Sequence, residues 1–347
     1  MRVLVTGGAG YIGSHVCVSL LEAGHSVVVF DNFENSEIDV VYRIEKVTGA
    51  SIAVRKGDVR SLGELLDALY AYPCHAAIHL AGLKAVSESV KNPTAYYHSN
   101  AIGTLNVIRA LTCINVKKIV FSSSATVYGE PQCLPIPESH ALSPVNPYGR
   151  SKRTAEQILE DVYSSDASWG VAILRYFNPV GAHESGLIGE SPTSEPENLM
   201  PIVSEVASGK RYELQIWGAD YPTADGTGVR DFVHVMDLAD GHVRALEALA
   251  EPKCLTVNLG SGTGYSVLEL IRSFESVTGR PIRYSTSERR DGDVAACMAD
   301  TRLAMELFGW SAKRSRDVMC ADTWRWETSN RSGFEAQGNY TSEIKNE

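Results

Sequence analysis

The sequence carries no surplus of positive charge: 32 Lys and Arg face 42 Asp and Glu, a net −10 with histidine neutral. A general affinity for nucleic acid therefore has no bulk electrostatic support, and an anionic ligand would need a local site of backbone amides or a few placed cations. No apolar run approaches the ~20 residues that cross a bilayer. The opening Met1-Arg2-Val3-Leu4-Val5 is broken at once by Gly7 and Gly8, too early for a secretory leader. Seven cysteines (Cys17, Cys74, Cys113, Cys133, Cys254, Cys297 and Cys320) are odd in number and never spaced C-x-x-C. Neither a disulfide framework nor a structural zinc pattern is expected from them. His75 and His79 flank a predicted strand, where ordinary packing is their expected role and no metal is expected. Internal repeats and low-complexity tracts are lacking as well. What is left is an ordinary globular composition, 44% hydrophobic and 21% charged over 347 residues, which can bury a sizeable core. The reading is of a reduced, cytoplasmic chain with no membrane and no nucleic-acid partner.

The first half alternates apolar bursts with amphipathic stretches. Strands are predicted at 3–5, 27–30, 52–54, 76–80, 118–122 and 171–176, with helical periodicity over 11–21, 61–71, 95–113 and 148–163. Strands separated by helices of this length form βαβ units, so residues 1–177 are expected to make a doubly wound parallel α/β sheet of the Rossmann type. Beyond 178 proline and glycine become frequent and strands shorten. That predicts a smaller C-terminal α/β domain over 178–327 lying across the carboxyl ends of the sheet, followed by a polar, frayed tail at 328–347.

The strongest local signal is Gly7-Gly8-Ala9-Gly10-Tyr11-Ile12-Gly13, between the first strand and the first helix. Gly7 permits the tight turn, Gly10 lets backbone approach a pyrophosphate, and Gly13 lets the helix pack close to the sheet. The helix start offers free amides and the positive end of its dipole. Asp31, ending the next strand, can accept hydrogen bonds from a ribose and would repel a 2′-phosphate, which points to NAD rather than NADP. Farther on, Asn146 and Pro147 cap a helix on which Tyr148 and Lys152 share one face. A phenol is a poor base at its usual pKa of about 10. A nearby ammonium, together with the positive ring of NAD, would favour the phenolate, so Tyr148 can take a hydroxyl proton while hydride leaves the same carbon. Ser124 follows a predicted strand at its carboxyl end, where its hydroxyl could bond the reacting oxygen.

These runs, together with Ser122-Ser123-Ser124-Ala125-Thr126-Val127-Tyr128-Gly129, Arg175-Tyr176-Phe177-Asn178-Pro179, Asn198-Leu199-Met200-Pro201 and the run from Asp220 to Asp231, resemble the UDP-glucose 4-epimerase family of the extended short-chain dehydrogenase/reductases over residues 1 to about 327. The resemblance implies reversible inversion at carbon 4 of a UDP-hexose with a bound NAD that is not consumed. It implies Tyr148 as acid/base, Lys152 tuning it, and Ser124 with Thr126 steering the proton. Cofactor contacts would map onto Tyr11, Ile12, Asn32, Asn35, Ser36, Asp58, Val59, Leu80, Ala81, Gly82, Lys84, Ser99, Ser122 and Tyr176. Those to the UDP-sugar would map onto Phe177, Asn178, Asn198, Leu199, Gln215, Trp217, Arg230, Arg290 and Cys297. Relatives are usually dimers, so a homodimer is expected, with 95–113 and 148–163 as its pairing helices. A 4,6-dehydratase shares the first hydride step but needs an Asp-Glu pair beside the active-site hydroxyl, and here Ser124 is followed by Ala125 and Thr126. Two positions depart from the family pattern. Ser99-Asn100 stands where members commonly carry Asn-Asn, and Cys297 stands where members restricted to UDP-glucose and UDP-galactose often carry tyrosine. A thiol in place of a phenol ring leaves room for an acetamido group, so UDP-GlcNAc and UDP-GalNAc are expected substrates too.

Overall fold

The structure, a computed structural model, describes residues 1–330 apart from 194 and 291. Its strands in chain order are β1 (Arg2–Thr6), β2 (Ser26–Asp31), β3 (Ala53–Lys56), β4 (Ala76–His79), β5 (Lys118–Ser124), β6 (Gly170–Tyr176), β7 (Asn178–Val180), β8 (Leu214–Trp217), β9 (Val229–His234), β10 (Lys253–Leu259), β11 (Gly264–Ser266), β12 (Tyr284–Ser287) and β13 (Ala296–Cys297). Seven of them form one parallel sheet in the order β10-β6-β5-β4-β1-β2-β3. Both faces are apolar because helices cover both. Val3, Val5, Val27 and Val29 point into a core with the helices Tyr11–Glu22, Asp39–Thr48 and Val235–Ala248, whereas Leu4, Val28 and Phe30 point to the helices Leu62–Ala71, Gly103–Cys113 and Pro147–Ser165. The chain winds one way through β1, β2 and β3 and the other way through β4, β5 and β6. The reversal lies between β1 and β4, and sheets of this kind hold ligands outside the carboxyl ends at such a point.

The smaller half is built on the β11-β9-β13 sheet, with β7 also on β9, and on the β8–β12 pair. Its core includes Met200, Val203, Leu214, Ile216, Phe232, Leu270, Phe274 and Met319. The two halves interleave: helix Val235–Ala248 and β10 lie past the expected boundary at 178, yet they return to cover and extend the large sheet. Other elements also differ from the reading. Helices Asp39–Thr48 and Val86–Lys91 lie where no helix was predicted, and the stretch 95–113 is interrupted by a π-helical turn, Tyr97–Ile102. The expected tail begins too early: helix Arg316–Ser329 runs past Thr328, whose hydroxyl donates to Trp324 O at 2.9 Å, and residues 331–347 lie outside the described ones. Among the described residues no helix is long and apolar enough to cross a membrane.

Candidate active site

The glycine turn is built for a close approach. Gly7 has a φ of +71°, and a Cβ on it would lie 2.7 Å from the Ala81 amide nitrogen across the reversal point. A Cβ on Gly13 would sit 2.0 Å from Gly7 O, so only glycine lets helix and turn meet. At Gly10, the helix cap, a Cβ would meet only Gly7 O, at 3.3 Å. The mouth of the turn is therefore open, and a side chain there would fill it. This is the cradle that a dinucleotide pyrophosphate needs.

Asp31 is nearly buried and fastens the turn. Its Oδ2 accepts from Ala9 N–H at 3.0 Å, and Oδ1 accepts from Phe33 N–H at 2.9 Å and the Ser36 hydroxyl at 3.1 Å. Asn32 donates to Asp58 Oδ2 at 2.9 Å. Hydrogen bonds from Arg60 hold the Asp58 carboxyl down at about 2, so this expected cofactor contact already has a partner in Arg60. Tyr11 donates to Gly181 O at 2.7 Å beside a half-buried Ile12, and Asn35 accepts from the Thr193 hydroxyl at 3.3 Å. Val59 is buried, while Leu80 and Ala81 at the end of β4 are half-buried. Gly82 lies against Asn100, whose Oδ1 accepts from Leu83 N–H at 2.9 Å and whose Nδ2 donates to Ser151 at 2.9 Å. Asn100 thus ties the β4 loop to the helix bearing Tyr148, and Ser99 lies buried in the same π-helical turn. Lys84 donates to Glu190 Oε1 at 2.9 Å.

Helix Pro147–Ser165 starts as read. Asn146 Oδ1 accepts from Gly149 N–H at 2.8 Å, and Pro147 takes the first position. A Cβ on Gly149 would be 2.8 Å from Thr126 O, so this glycine lets the helix lie against the turn after β5 and brings Tyr148 to Ser124. Ser124 Oγ accepts from Thr126 N–H at 3.2 Å and from its hydroxyl at 3.0 Å. With both lone pairs engaged, the Ser124 proton is left to donate, and it opposes the upward shift that burial imposes on the Tyr148 phenol. Lys152 Nζ donates to Ser122 O at 2.8 Å, 5.1 Å from the Phe121 ring centre. Burial brings this ammonium down to about 8, against the pull of Glu156. Burial thus dominates the Tyr148 phenol, with Ser124 opposing it, and the Lys152 ammonium, one turn farther along the helix, donates to a carbonyl. The Tyr176 hydroxyl is hydrogen-bonded to His242 Nε2 and lies behind the same strand ends.

On the substrate side, β8 alternates: Leu214 and Ile216 face the core, while Gln215 and Trp217 face outward. The Arg290 guanidinium stands 4.9 Å over the Trp217 ring, and Gln215 bonds the Ser287 hydroxyl. Arg230 pairs in register with Cys297 and approaches Asp293 at 3.8 Å. Cys297 packs with Ala125 and Leu142 against Val127, Tyr128, Phe177 and Ala299, and burial pushes its thiol up to about 11. Asn178 is exposed two residues past Tyr176, and Asn198 stands immediately before the helix that starts at the half-buried Leu199, without a side-chain capping bond. The fold therefore gathers Ser122, Ser124, Thr126, Tyr148, Lys152 and Tyr176 at the ends of β5 and β6, with Phe177 and Cys297 packed around the turn after β5. Gln215, Trp217 and Arg290 form a second group of their own.

A profile of the NAD dependent epimerase/dehydratase family matches residues 3–260. The chain belongs to that family. A UDP-glucose 4-epimerase of Bacillus subtilis is 52% identical over 338 residues, 97% of this chain and 99% of the relative. Among solved structures, the UDP-glucose 4-epimerase of Bifidobacterium longum in complex with NAD+ and UDP has a TM-score of 0.93 at 48% identity, covering 96% of this chain and 100% of the other. That of Stenotrophomonas maltophila, with bound NAD and formylated UDP-arabinopyranose, has 0.93 at 46%, covering 95% and 98%. Within the family the chain is an isomerase of the UDP-glucose 4-epimerase group.

Several residues of this epimerase site escaped the sequence reading. Asn100, Gly149 and Asp293 act through neighbours that only the fold supplies, although Gly149 sits inside the Tyr148–Lys152 run. A buried ion pair also lies beneath the site. Glu156 receives Arg175 at 3.0 Å on each oxygen, plus the Ser123 hydroxyl at 2.5 Å, and braces helix Pro147–Ser165 against β5 and β6.

Proposed function

We propose that the protein inverts carbon 4 of UDP-hexoses reversibly, interconverting UDP-glucose with UDP-galactose and UDP-GlcNAc with UDP-GalNAc. The reading rests on one observation: a half-buried phenol and hydroxyl (Tyr148, Ser124) and a buried ammonium (Lys152) stand together at the carboxyl ends of the sheet, next to a glycine cradle that fits a dinucleotide. NAD, held by the Gly7–Gly13 turn, Asp31 and the β4 loop, supplies a hydride acceptor and a positive charge when bound. Tyr148 receives the proton of the sugar hydroxyl and later returns it, and Ser124 carries that proton between phenol and sugar. Lys152, held by the Ser122 carbonyl, keeps a positive charge near the phenolate that forms. Asn178, Asn198, Leu199, Gln215, Trp217, Arg230 and Arg290 hold the UDP portion, the arginines forking onto phosphate and Trp217 flanking the base. The small Cys297, packed beside Phe177, leaves space for an acetamido group.

The test is incubation with UDP-galactose and UDP-GalNAc separately, without added NAD, followed by resolution of the products. Both are expected to convert to their 4-epimers. Turnover that starts only with added NAD and releases NADH would mark an ordinary dehydrogenase. We also read the protein as a cytoplasmic homodimer: Val90, Tyr97 and Ile102 stand exposed on the helical stretch leading to 113, an apolar face suited to a second copy. Light scattering at the mass of one chain would overturn that.

A further inference from the structure

We propose that Glu190 is a positioning residue that couples the cofactor side of the cleft to the substrate side; this rests on the roles assigned above to Lys84 and Asn198. Glu190 lies on the loop between β7 and helix Leu199–Ser208. One carboxylate oxygen, Oε1, accepts from Lys84 Nζ at 2.9 Å and from Asn198 Nδ2 at 2.8 Å. These partners lie on opposite halves of the molecule, one on the β4 loop and the other at the cap of a substrate-side helix. The Glu190 side chain is 11% exposed, against 64% for Lys84, so the carboxylate is the fixed member and the ammonium the movable one.

The backbone explains why it is fixed. Glu190 O accepts from Trp326 Nε1 at 3.0 Å, and a Cβ at Gly189 would come within 2.4 Å of the Trp326 ring. The residue is therefore anchored to the last described helix independently of its own side chain. The same loop touches the cofactor side twice more, through Thr193 to Asn35 at 3.3 Å and through Glu197 to Ser87.

An isolated surface ion pair contributes little, about 0–1 kcal/mol. What distinguishes this one is the shared acceptor. A carboxylate can only accept, so it dictates which end of the Asn198 amide faces it and leaves Oδ1 turned the other way. It also draws the Lys84 ammonium to one place. A ligand that moves either donor thus changes what the single oxygen offers the other, and by linkage each ligand alters the affinity for its counterpart equally.

The experiment uses the purified holoprotein and reads binding without turnover: NAD retained through dialysis, with and without saturating UDP, and the UDP Kd by calorimetry. In the unmodified protein UDP is expected to slow NAD loss by about tenfold, within the usual range for coupled sites. Glu190→Gln keeps the size and the backbone anchor. It is expected to abolish that protection and to raise the KM for UDP-galactose more than it lowers kcat. Asn198→Ala should remove the same protection, with no further loss in the double variant. Equal protection by UDP in Glu190→Gln and the unmodified protein would overturn the inference, as would a drop in Tm with the UDP effect on NAD intact. If Glu190→Gln does not fold, Lys84→Met and Asn198→Ala read the same coupling. Should the protein retain NAD and bind UDP but fail to epimerise, the proposed function falls while this measurement still decides the coupling.

Discussion

The two groups of functional side chains are held in different ways. Tyr148, Lys152 and Ser124 are at least partly buried, carried by a capped helix and a strand end, and positioned by Ser122, Thr126 and Gly149. Gln215 and Trp217 stand exposed on a two-stranded ribbon with Arg290 in the loop just beyond it, and they touch chiefly one another and Ser287. Proton transfer needs placement to about 0.5 Å, which only packed surroundings supply. An epimerase must also turn its sugar over between two hydride transfers while the nucleotide stays. On the proposed function the reacting end is therefore packed into a capped helix and a strand end, and the anchor can be an open surface that a flat base and a diphosphate settle onto.

The largest expected effect breaks the rigid region alone. Tyr148→Phe keeps the ring that packs edge-on against Tyr96, 6.4 Å between centres, and removes only the hydroxyl. General acid–base groups contribute about 10²–10⁴ in rate, so kcat for UDP-galactose should fall by that order. UDP affinity, measured by calorimetry, should not change, because nothing near Trp217 has moved. A Tyr148→Phe protein that epimerises at the original speed would end the proposed chemistry.

Much of this first region was legible in the sequence because its constraints are local. Gly7, Gly10 and Gly13 fall within one turn, Tyr148 and Lys152 within one helical turn, and the helix they occupy begins at the Asn146-Pro147 that announces it. The alternation of apolar bursts and amphipathic stretches also announced the doubly wound sheet, with six of its seven strands. The seventh, β10, was missed because it follows residues rich in glycine and proline and looks like part of the smaller half; only its register with β6 shows where it belongs. Glu190 was illegible for a related reason. Its partners are 106 and 8 residues away, and no motif links a loop glutamate to a lysine on another half of the chain.

Cys297→Tyr sharpens the comparison where the two regions meet. Cys297 lies half-buried on β13, beside Arg230 on one side and packed against the Phe177 and Tyr128 cluster on the other. A phenol ring there occupies the space assigned to the acetamido group, and overpacking of this kind costs about 1–3 kcal/mol. Turnover of UDP-GalNAc should fall by about 10–100-fold, the rate equivalent of that penalty, with UDP-galactose turnover largely kept. Unchanged kcat/KM for the N-acetylated pair would refute the size argument without touching the Tyr148 chemistry.

The smallest effect tests the open region. Trp217→Ala removes a ring that is 38% exposed and has the Arg290 guanidinium 4.9 Å from its centre. Stacking of a base on an aromatic ring is worth about 1–3 kcal/mol. With its arginine neighbour able to rearrange over the base, Trp217 should fall at the low end, weakening UDP by roughly tenfold in calorimetry. The decisive quantity is kcat. If the anchor and the reacting end are separate, the variant saturates at higher UDP-galactose concentration and then turns over at the original rate. A kcat that falls in step with affinity would mean that Trp217 helps to place the sugar at Tyr148, and the division between rigid chemistry and open anchor would have to be redrawn.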